Sequence, residues 1–191
     1  MAWSTPRDWT ALEQVSSGNL DTYVSNDLSW LGGNATTPSL SRPHCRVYDA
    51  SKNHAEGSAG NWIDVAFDNA TTDVGPSAMY TSGETYISIP AGGFWLLSAY
   101  AQWTTVDTTG VRGIALADAA VSSQVPGGTT GTIHTMATAP GAAHVRSKVS
   151  ASCSTLVQLA ANAKVYCSIF QSSGTSLTVA PIVLSAVYVM V

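Results

Sequence analysis

Charge is what this 191-residue chain has least of. Only 10% of its residues are Asp, Glu, Lys or Arg, against about 25% in an average domain. Eight Lys and Arg stand against twelve Asp and Glu, for a formal net charge of −4. No basic cluster is present, so nucleic-acid binding has no electrostatic footprint. A long hydrophobic run is missing too. A bilayer core needs roughly 20 apolar residues as a helix. The most apolar stretch of the middle, IPAGGFWLLSAYAQW at residues 89 to 103, is shorter and is broken by Pro90, Gly92, Gly93 and Gln102. The last stretch, Val179 to Val191, is also short and holds Pro181. No membrane partner is expected. The opening MAWSTPRDWTALEQ has no basic start followed by an apolar core, so it does not read as a secretory signal, and folding in the cytosol is expected. The three cysteines, Cys45, Cys153 and Cys167, are odd in number and fit no zinc spacing. If LAANA is a hairpin turn, Cys153 and Cys167 face each other across neighbouring strands. Two reduced core thiols are the reading that a cytosolic setting favours.

Catalytic and metal motifs are equally scarce. His44, His54, His134 and His144 fall in or beside predicted loops, and none forms an H-x-x-x-H or H-E-x-x-H array. There is no G-x-S-x-G elbow, phosphate loop or dinucleotide fingerprint. Asp64, Asp68 and Asp73 offer paired carboxylates, and residues 64 and 68 of one strand share a face. Calcium takes several oxygen ligands, but this spacing matches no calcium loop, so solvated or turn-capping aspartates are expected. No catalytic residue, metal or cofactor is expected, and the chain is not expected to be an enzyme.

What is present is a foldable composition, 45% hydrophobic, with much Ser, Thr, Ala and Gly. Such a surface suits burial in an interface, since large bare apolar patches are rare on soluble monomers. In GNLDTYVSNDLSWL, Leu20, Tyr23, Val24, Leu28 and Leu31 recur at helical spacing. Asn19 can cap that helix and Asp21 suits its first turn; Gly32 and Gly33 stop it. A short amphipathic helical segment over residues 1–33 is therefore predicted. The Gly-, Ser-, Thr- and Pro-rich residues 34–42 read as a linker.

From Arg46 onward the period changes to two. NWIDVAFD places Trp62, Val65 and Phe67 in a short strand with Asp64 and Asp68. ETYISIP alternates, GVRGIALAD follows a turn at Thr109 and Gly110, and HVRSKVSASCSTLVQLA alternates Val149 and Ala151 with Lys148 and Ser150. AKVYCSIFQ and SLTVAPIVLSAVYVMV close the chain. SSQVPGGTTGTIHTMATAPGAA reads as a long loop. About eight to ten antiparallel strands predict an all-β jelly-roll sandwich over residues 43–191.

Two of these strands are apolar on both faces. In GFWLLSAYAQW, Trp95, Leu97, Ala99, Ala101 and Trp103 form one wholly apolar face, expected to line the core. Phe94, Leu96, Ser98, Tyr100 and Gln102 form the other. A sheet with a wet outer face shows clean alternation, and this strand does not. In the last strand Val183, Val187, Val189 and Val191 share one parity, and Ile182, Leu184, Tyr188 and Met190 the other. A second subunit packed on the sheet accounts for both, because obligate interfaces resemble a core cut in half; the N-terminal helix or an insertion covering the face is the alternative. The interface is expected at Phe94, Leu96, Tyr100, Ile182, Leu184, Tyr188 and Met190.

The order NWIDVAFD, YISIP, GGFWLLSAY, GVRGIALAD and the closing NAKVYCSIFQSSGTSLTVAPIVLSAVYVMV resembles the tumour necrosis factor and complement globular-head superfamily over about residues 43 to 191. That resemblance implies a ten-stranded jelly roll forming a homotrimer, with the GFWLLSAY and C-terminal strands along the threefold axis. The chain departs from it in having no collagen-like stalk and no disulfide framework. The segment WSTPRDWTALEQVSSGNLDTYVSNDLSWL resembles the start of many tailed-bacteriophage structural proteins. This second resemblance implies attachment through Trp3, Trp9, Leu20, Tyr23, Val24, Leu28, Trp30 and Leu31 to a major capsid protein or other virion protein. It also implies a virion location after assembly in the bacterial host cytoplasm. Two functions follow as expectations. One is a homotrimeric capsid decoration protein. The other is a receptor- or glycan-binding head or tail-fibre module, in which Trp62, Tyr80 or Trp103 would face solvent to stack on host-surface sugars.

Overall fold

The computed structural model describes residues 42–49, 61–74, 77–104, 109–121, 131–140, 148–173 and 177–190. The expected N-terminal helix with all eight attachment residues, the linker up to residue 41, His54 and His144 lie outside the described residues. Ten antiparallel strands build two sheets: β1 (His44–Asp49), β2 (Trp62–Asp64), β3 (Asn69–Val74), β4 (Tyr86–Ser88), β5 (Gly93–Trp103), β6 (Val111–Ala117), β7 (Ile133–Pro140), β8 (Val149–Leu159), β9 (Lys164–Gln171) and β10 (Val179–Met190). The first sheet runs β3-β1-β10-β5-β8. The second runs β2-β9-β6-β7, and β4 pairs with β9 beyond β2. The chain is all-β, a jelly-roll-like sandwich, and among the described residues no helix is long and apolar enough to cross a membrane.

The core follows from the period-two pattern. Trp95, Leu97, Ala99, Ala101 and Trp103 of β5 all point inward and are buried, as their alternation predicts. The register of β10 against β5 places Ile182, Leu184, Ala186 and Tyr188 beside Ala101, Ala99, Leu97 and Trp95. In the first three of these pairs an isoleucine or leucine on one strand meets an alanine on the next, so the side chains interdigitate. Trp95 and Tyr188 close one end of it edge-to-face, with ring centroids 5.3 Å apart. Ile114, Leu116, Val165, Cys167 and Ile169 supply the facing layer from β6 and β9.

Three expectations change. The low-complexity segment around GTIHTMATAP contains β7, which pairs with β6 along its length. It lies at the edge of its sheet and neither of its faces is fully buried, so its alternation is too weak to read as a strand. β3 (NATTDV) went unread for the same reason, being an exposed edge strand. The run NWIDVAFD is a strand only to Asp64, and Trp62 lies on its outer face, stacked on Phe170 at 5.2 Å. Val65 and Phe67 continue into the core. Trp62 fits there because residue 113 is glycine: a Cβ at Gly113 would come within 2.8 Å of the indole.

β8 and β9 are joined by a tight turn at Ala160–Ala163, where Asn162 adopts a φ of 65°, a left-handed conformation that asparagine tolerates. The two strands nevertheless belong to different sheets. Cys153 and Cys167 therefore approach across the sandwich, not along neighbouring strands. All three cysteines are free and buried. Burial pushes the Cys45 thiol up to about 12, with Asp73 adding to the effect, and the Cys153 thiol up to about 11. Cys167 is raised well above its ordinary value by burial, then by Cys153 and Asp64.

Candidate functional site

The outer face of the first sheet is the surface that the sequence marks as unusual, and register turns it into three lines across four strands. The first is His44–Val187–Leu96–Leu156 on β1, β10, β5 and β8. The second is Arg46–Ser185–Ser98–Ser154, and the third Tyr48–Val183–Tyr100–Ser152. Directly opposed side chains in such lines stand about 4.5–5.5 Å apart, so each line is a continuous surface feature.

The first line is apolar and wet. Leu96 is 45%, Leu156 55% and Val187 40% exposed, with half-buried Phe94 next to them on β5. Three large hydrophobic residues sharing one line differ from the scattered single exposures that soluble surfaces normally show. Behind this line the face sinks. Ser98, Ser152, Ser154 and Ser185, with Tyr100 and Val183, line a hollow of about 330 Å³. The Tyr100 hydroxyl accepts a 3.1 Å bond from Gln102 Nε2.

Of the expected interface residues, Phe94, Leu96 and Tyr100 lie on this outer face. Ile182, Leu184 and Tyr188 do not: they are 0%, 0% and 2% exposed, inside the core. The face assignment of β10 is reversed, and Val183, Ser185 and Val187 are its outward residues. Both parities of β10 are apolar, so its pattern is ambiguous, and pairing with β5 decides which turns inward. Met190 pairs with Phe94 beyond a register irregularity. Leu156 was missed. Its signal was a single leucine in the polar parity of SASCSTLVQL, among Ser150, Ser152, Ser154 and Gln158.

The other candidates are engaged within the fold. Asp73 accepts the backbone N–H of Met79 at 2.9 Å and of Tyr80 at 3.2 Å, a turn-capping role. Asp64 accepts the Ser168 hydroxyl at 2.7 Å and the Val121 N–H at 2.9 Å. Burial raises its carboxyl above the ordinary value, and those two bonds oppose the rise. The strand ends at Asp64, so Asp68 does not share a strand face with it. Among the described residues no group of three or more His, Cys, Asp or Glu side chains could hold a metal ion. Burial lowers the His134 pKa, with Asp118 opposing. His44 Nδ1 lies 2.9 Å from the Arg42 carbonyl. Of the three aromatics suited to sugar stacking, Trp103 is 1% exposed. Tyr80 donates its hydroxyl to the Phe67 carbonyl, and Trp62 packs on Phe170 and Gly113.

No family model matches the chain, and no curated protein matches it in sequence. Solved structures do match. The globular domain of zebrafish complement 1qA protein superposes with a TM-score of 0.54 at 11% identity, covering 78% of this chain and 98% of that one. Vertex protein P5 of phage PRD1 superposes with a TM-score of 0.53 at 12% identity, covering 78% and 97%. At such identities the likeness is one of fold: this chain carries a jelly roll similar to that of a complement globular head and of a phage vertex protein.

Proposed function

We propose that this protein is a non-enzymatic structural component of a phage virion, a homotrimeric capsid decoration protein that binds and stabilises the capsid surface. The observation that carries the reading is the exposed line of Leu96, Leu156 and Val187 on a jelly roll similar to a phage vertex protein. A protein that works alone has no use for such a line; one that assembles buries it, at roughly 25 cal/mol per Å² before association costs. The revised interface keeps Phe94, Leu96 and Tyr100, replaces the inward residues of β10 by Val183 and Val187, and adds Leu156. Residues 1–33 are the attachment segment, with a major capsid protein or another virion protein as partner. A receptor- or glycan-binding module has less support, because Trp62, Tyr80 and Trp103 pack or bond within the fold instead of forming a solvent-facing cluster.

Light scattering on the full chain should give a mass near three times 19.8 kDa. Removing residues 1–33 should leave a soluble trimer that no longer binds particles. A truncated protein that still decorates shells at full occupancy refutes the attachment role, and a monomeric full-length protein refutes the assembly.

A further inference from the structure

We infer that the paired strands β4 and β9 carry a binding site for an acidic saccharide, made by Tyr86, Ser88, Lys164 and Tyr166 on the outer face of the second sheet. The site goes beyond the assembly role. It lies on the far side of the sandwich from Leu96, Leu156 and Val187, and it uses none of Trp62, Tyr80 and Trp103.

Register brings these four side chains together. The pairing of β4 with β9 sets Tyr86 opposite Tyr166 and Ser88 opposite Lys164. Ile87 and Val165 between them point into the core, both 0% exposed. Successive side chains of a strand alternate between faces, so the other four project outward. Lys164 is exposed, and Tyr86, Ser88 and Tyr166 are half-buried. The two phenol rings lie 5.4 Å apart, inclined at 51°. The Lys164 ammonium sits 4.1 Å from the centroid of the Tyr86 ring, where the negative face of the ring attracts it.

The polar tips of this cluster are open to a ligand. Neither phenol hydroxyl nor the Ser88 hydroxyl hydrogen-bonds to another described residue. No described carboxylate pairs with Lys164, Glu84 two residues before Tyr86 included. An ammonium held over a ring with no carboxylate beside it suits an anion from outside the chain. A bare inorganic anion would use the ammonium and leave the rings idle. A carboxylated pyranose uses all four groups. Its C–H face covers apolar ring carbon. Its hydroxyls exchange hydrogen bonds with the two phenols and Ser88, each of which can donate and accept. Its carboxylate takes charge-assisted hydrogen bonds from Lys164.

The test is retention of the labelled full-length protein on an array of uronate- and sialate-bearing oligosaccharides, with their neutral methyl esters and polyglutamate printed beside them. Retention is expected on an acidic saccharide and not on its ester or on polyglutamate. Lys164→Gln, at an exposed position, should weaken binding about tenfold or more through loss of a hydrogen bond to a charged group. Tyr86→Thr removes the ring, keeps the β-branched shape that strands favour, and should weaken binding as well. Both variants should keep the parent circular dichroism spectrum. Retention that is equal on the ester or on polyglutamate, that survives both variants, or that is absent from every acidic saccharide overturns the inference. The virion reading stands or falls separately, on the mass and particle-binding measurements.

Discussion

Replacing Leu96, Leu156 and Val187 together by threonine should separate assembly from folding. The three side chains are 45%, 55% and 40% exposed in the single subunit, so about half of each is still available to bury. Full burial of a Leu or Val side chain is worth about 1.5–3 kcal/mol, so each contributes about 1 kcal/mol on association. That gives about 3 kcal/mol per interface and about 9 kcal/mol over three interfaces. At about 1.4 kcal/mol per factor of ten, the trimer formation constant falls about a million-fold. That constant scales with the inverse square of concentration, so the assembly midpoint should rise about a thousand-fold. Threonine keeps the β-branched shape that strands favour, and exposed substitutions cost a subunit no more than about 0.5 kcal/mol each. Light scattering over a dilution series reads the midpoint, and urea unfolding of the dissociated subunit reads the fold. A variant that assembles at the parent concentration, or that loses its fold in step with its mass, refutes the role of this line in assembly.

Two further outcomes follow from the interior. Gly113→Ala drives a Cβ to 2.8 Å from the Trp62 ring, an overpacking expected to cost about 1–3 kcal/mol; a lowered urea midpoint with an unchanged slope would show it, and an unaltered midpoint would mean Trp62 moves aside freely. Asp64 has a folded-state pKa raised above its unfolded value, chiefly by burial. The folded form therefore binds the proton more readily, and this group's contribution to stability increases as pH falls through its folded pKa, levelling off below the unfolded one. Asp64→Asn should remove that part of the pH dependence; identical stability-against-pH curves for the two proteins would contradict the assignment.

Much of the fold is written in the order of the residues, and where it is not, the cause is physical. Alternation is legible where one face is dry and the other wet. β5 declares its core parity because Trp95, Leu97, Ala99, Ala101 and Trp103 form an unbroken apolar series, and its second face shows an apolar end through Phe94 and Leu96. The scarcity of charge was likewise complete in the sequence. Edge strands such as β3 and β7 have no dry face, so they carry no amplitude to read. β10 has the opposite difficulty: both of its parities are apolar, and only hydrogen-bonded register with β5 sends Ile182, Leu184 and Tyr188 inward and leaves Val183 and Val187 outside. Sheet membership was also invisible to the chain, since a tight turn joins β8 to β9 whether they pair or part. Composition and period thus determined the layers and the existence of a second apolar face. Long-range pairing, which brings Val187, Leu96 and Leu156 into one line through two pairings that span 91 and 60 residues of the chain (187−96 and 156−96), alone decided which side chains make up that face.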